Sequence, residues 1–367
     1  MPIELIASCI QGLEEITQLE IKEIIKQKSE ILILSRIKFK VKEEKDIIKF
    51  IINTRSSIKV YRLMENFSFN NLDEIITKAN KIKFPKIKGP FAVKCERTGN
   101  HDFNSNDVEK EIGNLINKEG KIKVDLKNPT TIVLVDIVDN NCFLGIDYSG
   151  IKLSKRPYRV RLTPSSINPC LAYSMLRITD IKEKDKIVDP LCRSGEIIIE
   201  AALYLQNISP SLKLINQLAF TKLIKFTPKS NSKIKKLNIY AIDPSQNHLK
   251  SAEINSKIAN INKSIIFSRY DLEWLDTKFD KSSVDKIITF PFYPTNNLPE
   301  KDVEKTYKEL FYQSRFILKK KGVITILTPK PELIEKYAKL ENFKKEKEYK
   351  IKYSNQDFHI LRFKNET

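Results

Sequence analysis

The 367-residue chain carries 65 Lys plus Arg against 46 Asp plus Glu, a formal net charge of +19, with 41% hydrophobic and 30% charged residues; this describes two or three globular domains with a polyanionic partner. Five cysteines with no C-x-x-C pair and an odd total exclude a zinc ribbon and a disulfide framework, and they predict a reducing, cytoplasmic compartment. No apolar run reaches the roughly 18 residues of a membrane span and no basic-then-apolar leader opens the chain, so neither a membrane nor a metal is expected as a partner.

Residues 2–9 read as a strand, and from Gly12 apolar residues recur at helical spacing. Residues 31–41 alternate apolar and polar as one half-buried strand, 44–52 predict a short helix, and 58–64 a further strand. Residues 91–97 form a strand that leads through a polar loop into a helix carrying Val108, Ile112 and Leu115, which Ser105 or Asn106 can cap. Residues 131–138 and 142–147 complete this α+β region as strands. Arg97, His101 and the loop between them place donors beside a helix N-terminus, a setting that suits phosphate and ribose better than base edges. Local capping or packing is the equal alternative for His101.

Residues 153–164 are dense in cations. Lys155, Arg156, Arg159 and Arg161 are expected to neutralise backbone phosphates, while Tyr158 packs at the joint between modules; a solvated charge run is the competing reading. After it, residues 188–200 (Val-Asp-Pro-Leu-Cys-Arg-Ser-Gly-Glu-Ile-Ile-Ile-Glu) turn an apolar strand abruptly into a helix. Asp189 and Pro190 end the strand, Ser194 or Gly195 opens the helix, and the free N–H groups of its first turn can face a ligand. In a doubly wound sheet such a join lies at the carboxyl edge of the strands, where their order reverses.

An irregular stretch follows whose Lys-rich end, before Leu237, is expected to be a loop. Residues 237–242 form the second strand and close on Asp243, placed to accept both hydroxyls of a ribose. Its other reading is helix capping, which Ser245 can supply instead. The third strand, 264–270, ends at Asp271, and the fourth runs from Val284 into Phe290-Pro291-Phe292-Tyr293. A helix ending at 318, a fifth strand at 322–329 and two closing strands from 343 onward, an antiparallel edge pair, finish the chain.

Several of these stretches carry a family resemblance. Asp189, Pro190, Cys192, Ser194 and Gly195 followed by Ile-Ile-Ile-Glu-Ala-Ala resemble the D-P-x-C-G-S-G-T-x-x-I-E-A signature of S-adenosylmethionine-dependent RNA methyltransferases that carry a THUMP domain. Arg97, Gly99, His101, Phe103 and Ser105 resemble R-x-G-x-H-x-F-x-S, and Val124-Asp-Leu-Lys-Asn-Pro129 resembles V-D-L-x-N-P, both from THUMP domains. Leu153 to Arg159 resembles the L-x-K-R-x-Y-R linker, and Ile167 to Leu176 the helix that covers the cofactor. The opening strand and helix are similar as well.

The resemblance implies a fold, a substrate and a site. The fold class is α/β: a Rossmann-like class I methyltransferase domain at 169–367, preceded by a ferredoxin-like plus THUMP α+β region at 1–150 and a basic linker at 151–168. The THUMP domain implies binding to the acceptor stem and CCA end of tRNA through shape. Asp189, Cys192, Ser194, Gly195, Asp243 and Asp271 would bind S-adenosylmethionine, Asp271 through the adenine amino group. Pro291, Tyr293 and Phe290 occupy the catalytic N-P-P-Y positions, where the first residue and the carbonyl of the second accept the hydrogens of an exocyclic amine and the aromatic ring stacks on the flipped base.

Four positions depart from the pattern: Arg193 stands for Gly, Glu196 for Thr, Phe290 for Asn or Asp, and Phe292 for the second Pro. Asn296 or Asn297 could supply the missing acceptor. Two functions follow, a guanine-N2 methyltransferase acting on tRNA and a catalytically inactive homologue that binds RNA. A THUMP-bearing thiolation enzyme is excluded, since no S-G-G-x-D-S loop is present.

Overall fold

The computed structural model describes every residue except 1, 83, 85, 86, 119–121, 165, 225–233, 354 and 355. The chain forms two compact units that interleave along the sequence: residues 1–9, 17–153 and 211–229 make the first, and residues 10–16, 154–210 and 230–367 the second. Most of the Lys-rich stretch before Leu237 lies outside the described residues.

The first unit is built on one seven-stranded sheet. Its elements in chain order are β1 (Ile3–Ser8), α1 (Glu14–Ile25, whose first turn lies at the boundary of the units), β2 (Ser29–Ile33), β3 (Arg36–Val41), α2 (Glu44–Asn53), β4 (Lys59–Ser68), α3 (Leu72–Ala79), β5 (Phe91–Thr98), α4 (Ser105–Ile116), β6 (Thr131–Val138) and β7 (Asn141–Asp147). The strands order as β2-β3-β1-β4-β7-β6-β5; β5 and β6 pair in parallel, and the other neighbours among the described residues are antiparallel. The expected ferredoxin-like and THUMP parts thus share one sheet. Ile47, Phe50 and Ile51 of α2 and Val108 and Ile112 of α4 recur at helical spacing and pack into the core with the sheet's apolar residues. Leu218, Phe220 and Ile224, from the later segment, complete the same core.

Three local expectations need correction. The alternation over 31–41 hides a hairpin, because Leu34 and Ser35 turn the chain with Ser35 at φ +68°. The N-cap of α4 is neither Ser105 nor Asn106: the Asn104 side chain accepts from the Asn106 and Asp107 N–H groups, and Asp107 accepts from Asn104 N–H in return. Helix α3 is an addition to the expected elements; Asn71 caps it, and Asp73 and Glu74 make its first turn acidic.

The second unit contains α5 (Pro169–Thr179), β8 (Ile187–Asp189), α6 (Glu196–Leu205), β9 (Ile239–Ile242), α7 (Gln246–Ala259), β10 (Ile265–Ser268), α8 (Leu275–Lys278), β11 (Val284–Thr289), α9 (Glu300–Ile317), β12 (Leu318–Thr328), α10 (Pro331–Leu340), β13 (Phe343–Tyr353) and β14 (Gln356–Asn365). Its seven strands order as β10-β9-β8-β11-β12-β14-β13. All pairs from β10 to β12 are parallel, and the β13–β14 hairpin adds antiparallel to β12. Strand β8 is buried throughout, as a central parallel strand must be. From β8 the chain runs outward through β9 and β10, then returns to the other side of β8 as β11. The carboxyl ends of β8 and β11 are therefore the point where strand order reverses. Among the described residues no helix is long and apolar enough to cross a membrane.

Candidate functional site

The turn after β8 is tied down by its own backbone. Cys192 N–H donates to the Ile242 carbonyl at 2.9 Å and Gly195 N–H to the Cys192 carbonyl at 2.8 Å. Arg193 N–H donates to Asp243 Oδ2 at 2.9 Å. These bonds hold Arg193 at φ +50° and Gly195 at φ +86°, the left-handed region that a side chain such as Arg enters at a cost of about 1–2 kcal/mol. Gly195 is required for a second reason: a Cβ there would lie 2.9 Å from the Ala252 Cβ, so the missing side chain lets α6 approach α7. Gly195 is the N-cap of α6 without a side-chain cap, and Ser194 does not fill that role.

A recess of about 10 Å³, at the threshold for one water, opens between this turn and the end of β11, lined by Asp189, Leu191, Cys192, Arg193, Glu196 and Phe290 together with Ile167 and Ile197. The Arg193 side chain dominates it. Its guanidinium carbon lies 4.8 Å from the centroid of the Phe290 ring and 4.6 Å from that of Phe292, within cation–π range of both. Arg193 is 4% exposed, and burial lowers its pKa from the ordinary value. Asp189, 2% exposed, accepts from Leu191 N–H at 3.2 Å, and burial pushes its carboxyl up to about 7. Phe290 stacks on Tyr293 at 5.7 Å, and Phe358 meets both rings edge-on. Pro291 is buried between the two aromatic residues.

The recess therefore brings together Asp189, Cys192 and Phe290 from the expected site, but not Ser194, Gly195, Asp243 or Asp271. Ser194 is fully buried, and its hydroxyl donates to Glu196 Oε2 at 2.8 Å and bonds the Ser166 hydroxyl, so it is spoken for within the fold. Asp243 accepts from Ser245 N–H and His248 Nδ1 on one oxygen, each at 2.9 Å, and from Arg193 N–H on the other. Ser245, not Asp243, caps α7. Asp271 is exposed just beyond β10. Asn296 and Asn297 are the exposed tip of a tight turn closed by reciprocal Thr295–Leu298 bonds and do not line the recess.

The cation run divides into two kinds of residue. Arg156 is not a phosphate contact: its Nε donates to Glu200 Oε1 at 2.9 Å, with both side chains 0% exposed, and Tyr158 Oη donates to the same oxygen. Arg159 is largely buried, 3.6 Å from Glu196 and donating to the Ile167 carbonyl. The cause lies in α6, which is apolar on all faces except for Glu196 and Glu200, so these buried carboxylates draw the nearest cations inward. Lys155 and Arg161 remain exposed. Asn255 on α7, fully buried, carries no motif that marks it in the sequence. Its carboxamide accepts from Val160 and Arg161 N–H and donates to the Arg161 and Ser194 carbonyls, fixing the run to the turn.

In the first unit, Arg97 and His101 do meet. Arg97 Nη1 donates to His101 Nδ1 at 2.9 Å, which places the imidazole proton on Nε2, where it meets the Asp139 carbonyl at 2.8 Å. Phe69 and Phe103 pack against the His101 ring, and Arg97 lies over Phe103 at 5.7 Å. His101 thus packs locally and at the same time orients Arg97 near the start of α4.

Comparison with known proteins places this geometry in a family. The profile of UPF0020, described as RMKL-like, methyltransferase domain, matches residues 156–357, and the THUMP domain profile matches residues 69–147. A tRNA (guanine(6)-N2)-methyltransferase of Methanocaldococcus jannaschii is 29% identical over 93% of this chain and 94% of its own. An enzyme of the same name from Archaeoglobus fulgidus is 29% identical over 70% of this chain and 65% of its own. The crystal structure of TrmN from Thermus thermophilus matches with a TM-score of 0.74 at 21% identity, covering 99% of both chains. That of SMU.472 complexed with SAH matches with a TM-score of 0.79 at 18% identity, covering 99% and 98%. These two likenesses are of fold, that of the methyltransferases. More than half of the chain matches the first profile, and the chain belongs to the RMKL-like methyltransferase family, with a THUMP domain ahead of the methyltransferase domain.

Proposed function

We propose that this chain is an S-adenosylmethionine-dependent tRNA methyltransferase that modifies the N2 amine of guanine in the cytoplasm. The observation that carries the reading is the meeting of Asp189, at the end of β8, with Phe290, the first residue of the aromatic loop after β11, at the reversal of strand order. The names and near full-length match of the archaeal relatives support the substrate. The THUMP match, the Arg97–His101 pair and the exposed Lys155 and Arg161 support RNA binding through residues 1–150 and the run that follows.

The adenosine half of the cofactor fits the groups present. Asp271 offers an exposed carboxylate beyond β10, with no capping bond from its side chain, to an exocyclic amine. Asp243 Oδ2 keeps a lone pair beside its bond from Arg193 N–H for a ribose hydroxyl. The methionine half meets the Arg193 guanidinium, so it fits only with that side chain turned out.

When bound, the cofactor supplies a methyl carbon on a positively charged sulfur. Pro291 would offer its carbonyl to a guanine N2 hydrogen, which leaves the nitrogen lone pair for the methyl carbon as the carbon–sulfur bond breaks. No side-chain acceptor assists at position 290, where Phe presents only a ring. Tyr293, held by its contacts with Phe290 and Phe358, presents a rigid face for the base to stack on. One amine proton leaves to water once the nitrogen is methylated.

One observation favours a second reading, an RNA-binding protein without catalysis: a buried cation stands where a cationic cofactor would enter. Incubation with unmodified tRNA and cofactor labelled in its methyl group separates the two. Label in the RNA supports the enzyme; tRNA binding with no label at saturating cofactor supports the binding protein and sinks the enzyme.

A further inference from the structure

We infer that Arg193 is a latch that couples cofactor entry to the arrival of the target base, its guanidinium holding both the slot between the Phe290 and Phe292 rings and the recess beneath it. The inference rests on the methyltransferase reading above. The geometry makes Arg193 a stand-in for two ligands at once.

First, the guanidinium is a planar group between two aromatic rings, at 4.8 and 4.6 Å from their centroids. A planar nucleobase that stacks on Tyr293 and extends over the neighbouring Phe290 ring, 5.7 Å away, competes for the face the guanidinium holds. Phe290 is 7% exposed and fixed by Tyr293 and Phe358, whereas Phe292 is 38% exposed, so the slot has a rigid inner wall and an outer wall open to solvent. A base can enter from that side. Second, the guanidinium is a cation in a recess that two carboxylates, Asp189 and Glu196, also line. Glu196 keeps Arg159 at 3.6 Å and the Ser194 hydroxyl, so removing the guanidinium leaves Asp189 to another cation, and the sulfur and amine of the cofactor provide one.

The turn is held by backbone bonds that do not use the guanidinium. Arg193 N–H donates to Asp243 at 2.9 Å, Cys192 N–H to the Ile242 carbonyl and Gly195 N–H to the Cys192 carbonyl, so displacing the side chain leaves these bonds in place. Two ligands that both require the displaced side chain bind cooperatively, since whichever arrives first bears the displacement and the second does not. The base and the cofactor are such a pair.

The test titrates the full chain with sinefungin, a cofactor analogue with an amine in place of the transferable methyl, by calorimetry with and without an unmodified tRNA transcript. Arg193→Gly is the variant, because Gly accepts the positive φ without strain. The latch predicts that Arg193→Gly binds sinefungin about tenfold more tightly than wild type in the absence of RNA, and that tRNA tightens wild type by a similar factor while leaving the variant unchanged. Equal affinity of wild type and variant without RNA, or equal tightening of both by tRNA, overturns the latch while leaving the methyltransferase reading in place. Failure of both proteins to bind sinefungin even with tRNA overturns the methyltransferase reading, and the latch with it.

Discussion

Burying a charged side chain is costly unless a partner compensates it, and Arg156 has Glu200 as that partner at full burial. Arg156→Ala strands Glu200, so urea denaturation should show a loss of about 3–5 kcal/mol, while tRNA affinity of the folded fraction is unchanged. Lys155→Ala and Arg161→Ala, at exposed positions, should stay within about 0.5 kcal/mol of wild-type stability yet weaken tRNA binding and flatten its salt dependence. Sequence spacing does not separate these four cations, because burial is set by α6, nearly forty residues on. The clue that the sequence does hold is the pair of glutamates in an otherwise apolar helix. Asp189 gives a pH signature. Its folded pKa, about 7, lies above the ordinary value of 3.8, so the folded state binds the extra proton between those values and the carboxyl's contribution to stability falls as pH rises through that window. Asp189→Asn, which keeps an acceptor for Leu191 N–H, should therefore gain stability over wild type at pH 8, with the difference vanishing below pH 3.8. A difference constant across that range would refute the assignment.

At the scale of elements, the α6–α7 contact depends on Gly195. Its φ of +86°, together with the 2.9 Å that would separate an alanine Cβ at this position from the Ala252 Cβ, predicts that Gly195→Ala loses about 1–3 kcal/mol. Adding Ala252→Gly should restore part of the loss, because only the steric share is relieved. A double-mutant cycle by thermal or urea unfolding measures that coupling. Elements with a strong pattern are readable in advance: the parallel run with its antiparallel closing pair follows from the element order. Elements set by a single turn are not. Ser35 reverses the chain at φ +68° with no Gly or Pro to mark it, and the alternation on either side of the hairpin reads as one strand. The cap of α4 shifts by one residue from its expected place because Asn, Ser and Asn stand in a row, and only the reciprocal bond from Asp107 decides among them.

At the scale of the whole molecule, the order of modules is legible in the sequence but their interleaving is not. Residues 10–16 belong with the second unit and 211–229 with the first, long-range choices made by packing rather than by local pattern. Gly12 records one of them: a Cβ there would lie 2.0 Å from the Lys350 carbonyl oxygen, so the segment reaches β13 only because it carries no side chain at that point. The candidate site is legible as a place and not as a state. Its turn, its carboxylates and its aromatic loop can be named from residue types, yet the filling of the recess by Arg193 requires the positions of Phe290 and Phe292. A net charge of +19 sets the expectation for association: tRNA affinity should fall by orders of magnitude between low and physiological salt. Methylation at guanine N2 is a narrower property than binding, and nucleoside analysis of a tRNA transcript after incubation with the protein and S-adenosylmethionine reads it out. N2-methylguanosine should appear in the digest, formed in proportion to enzyme and absent without cofactor; unmodified guanosine alone, from tRNA the protein demonstrably binds, would rule out the methyltransferase.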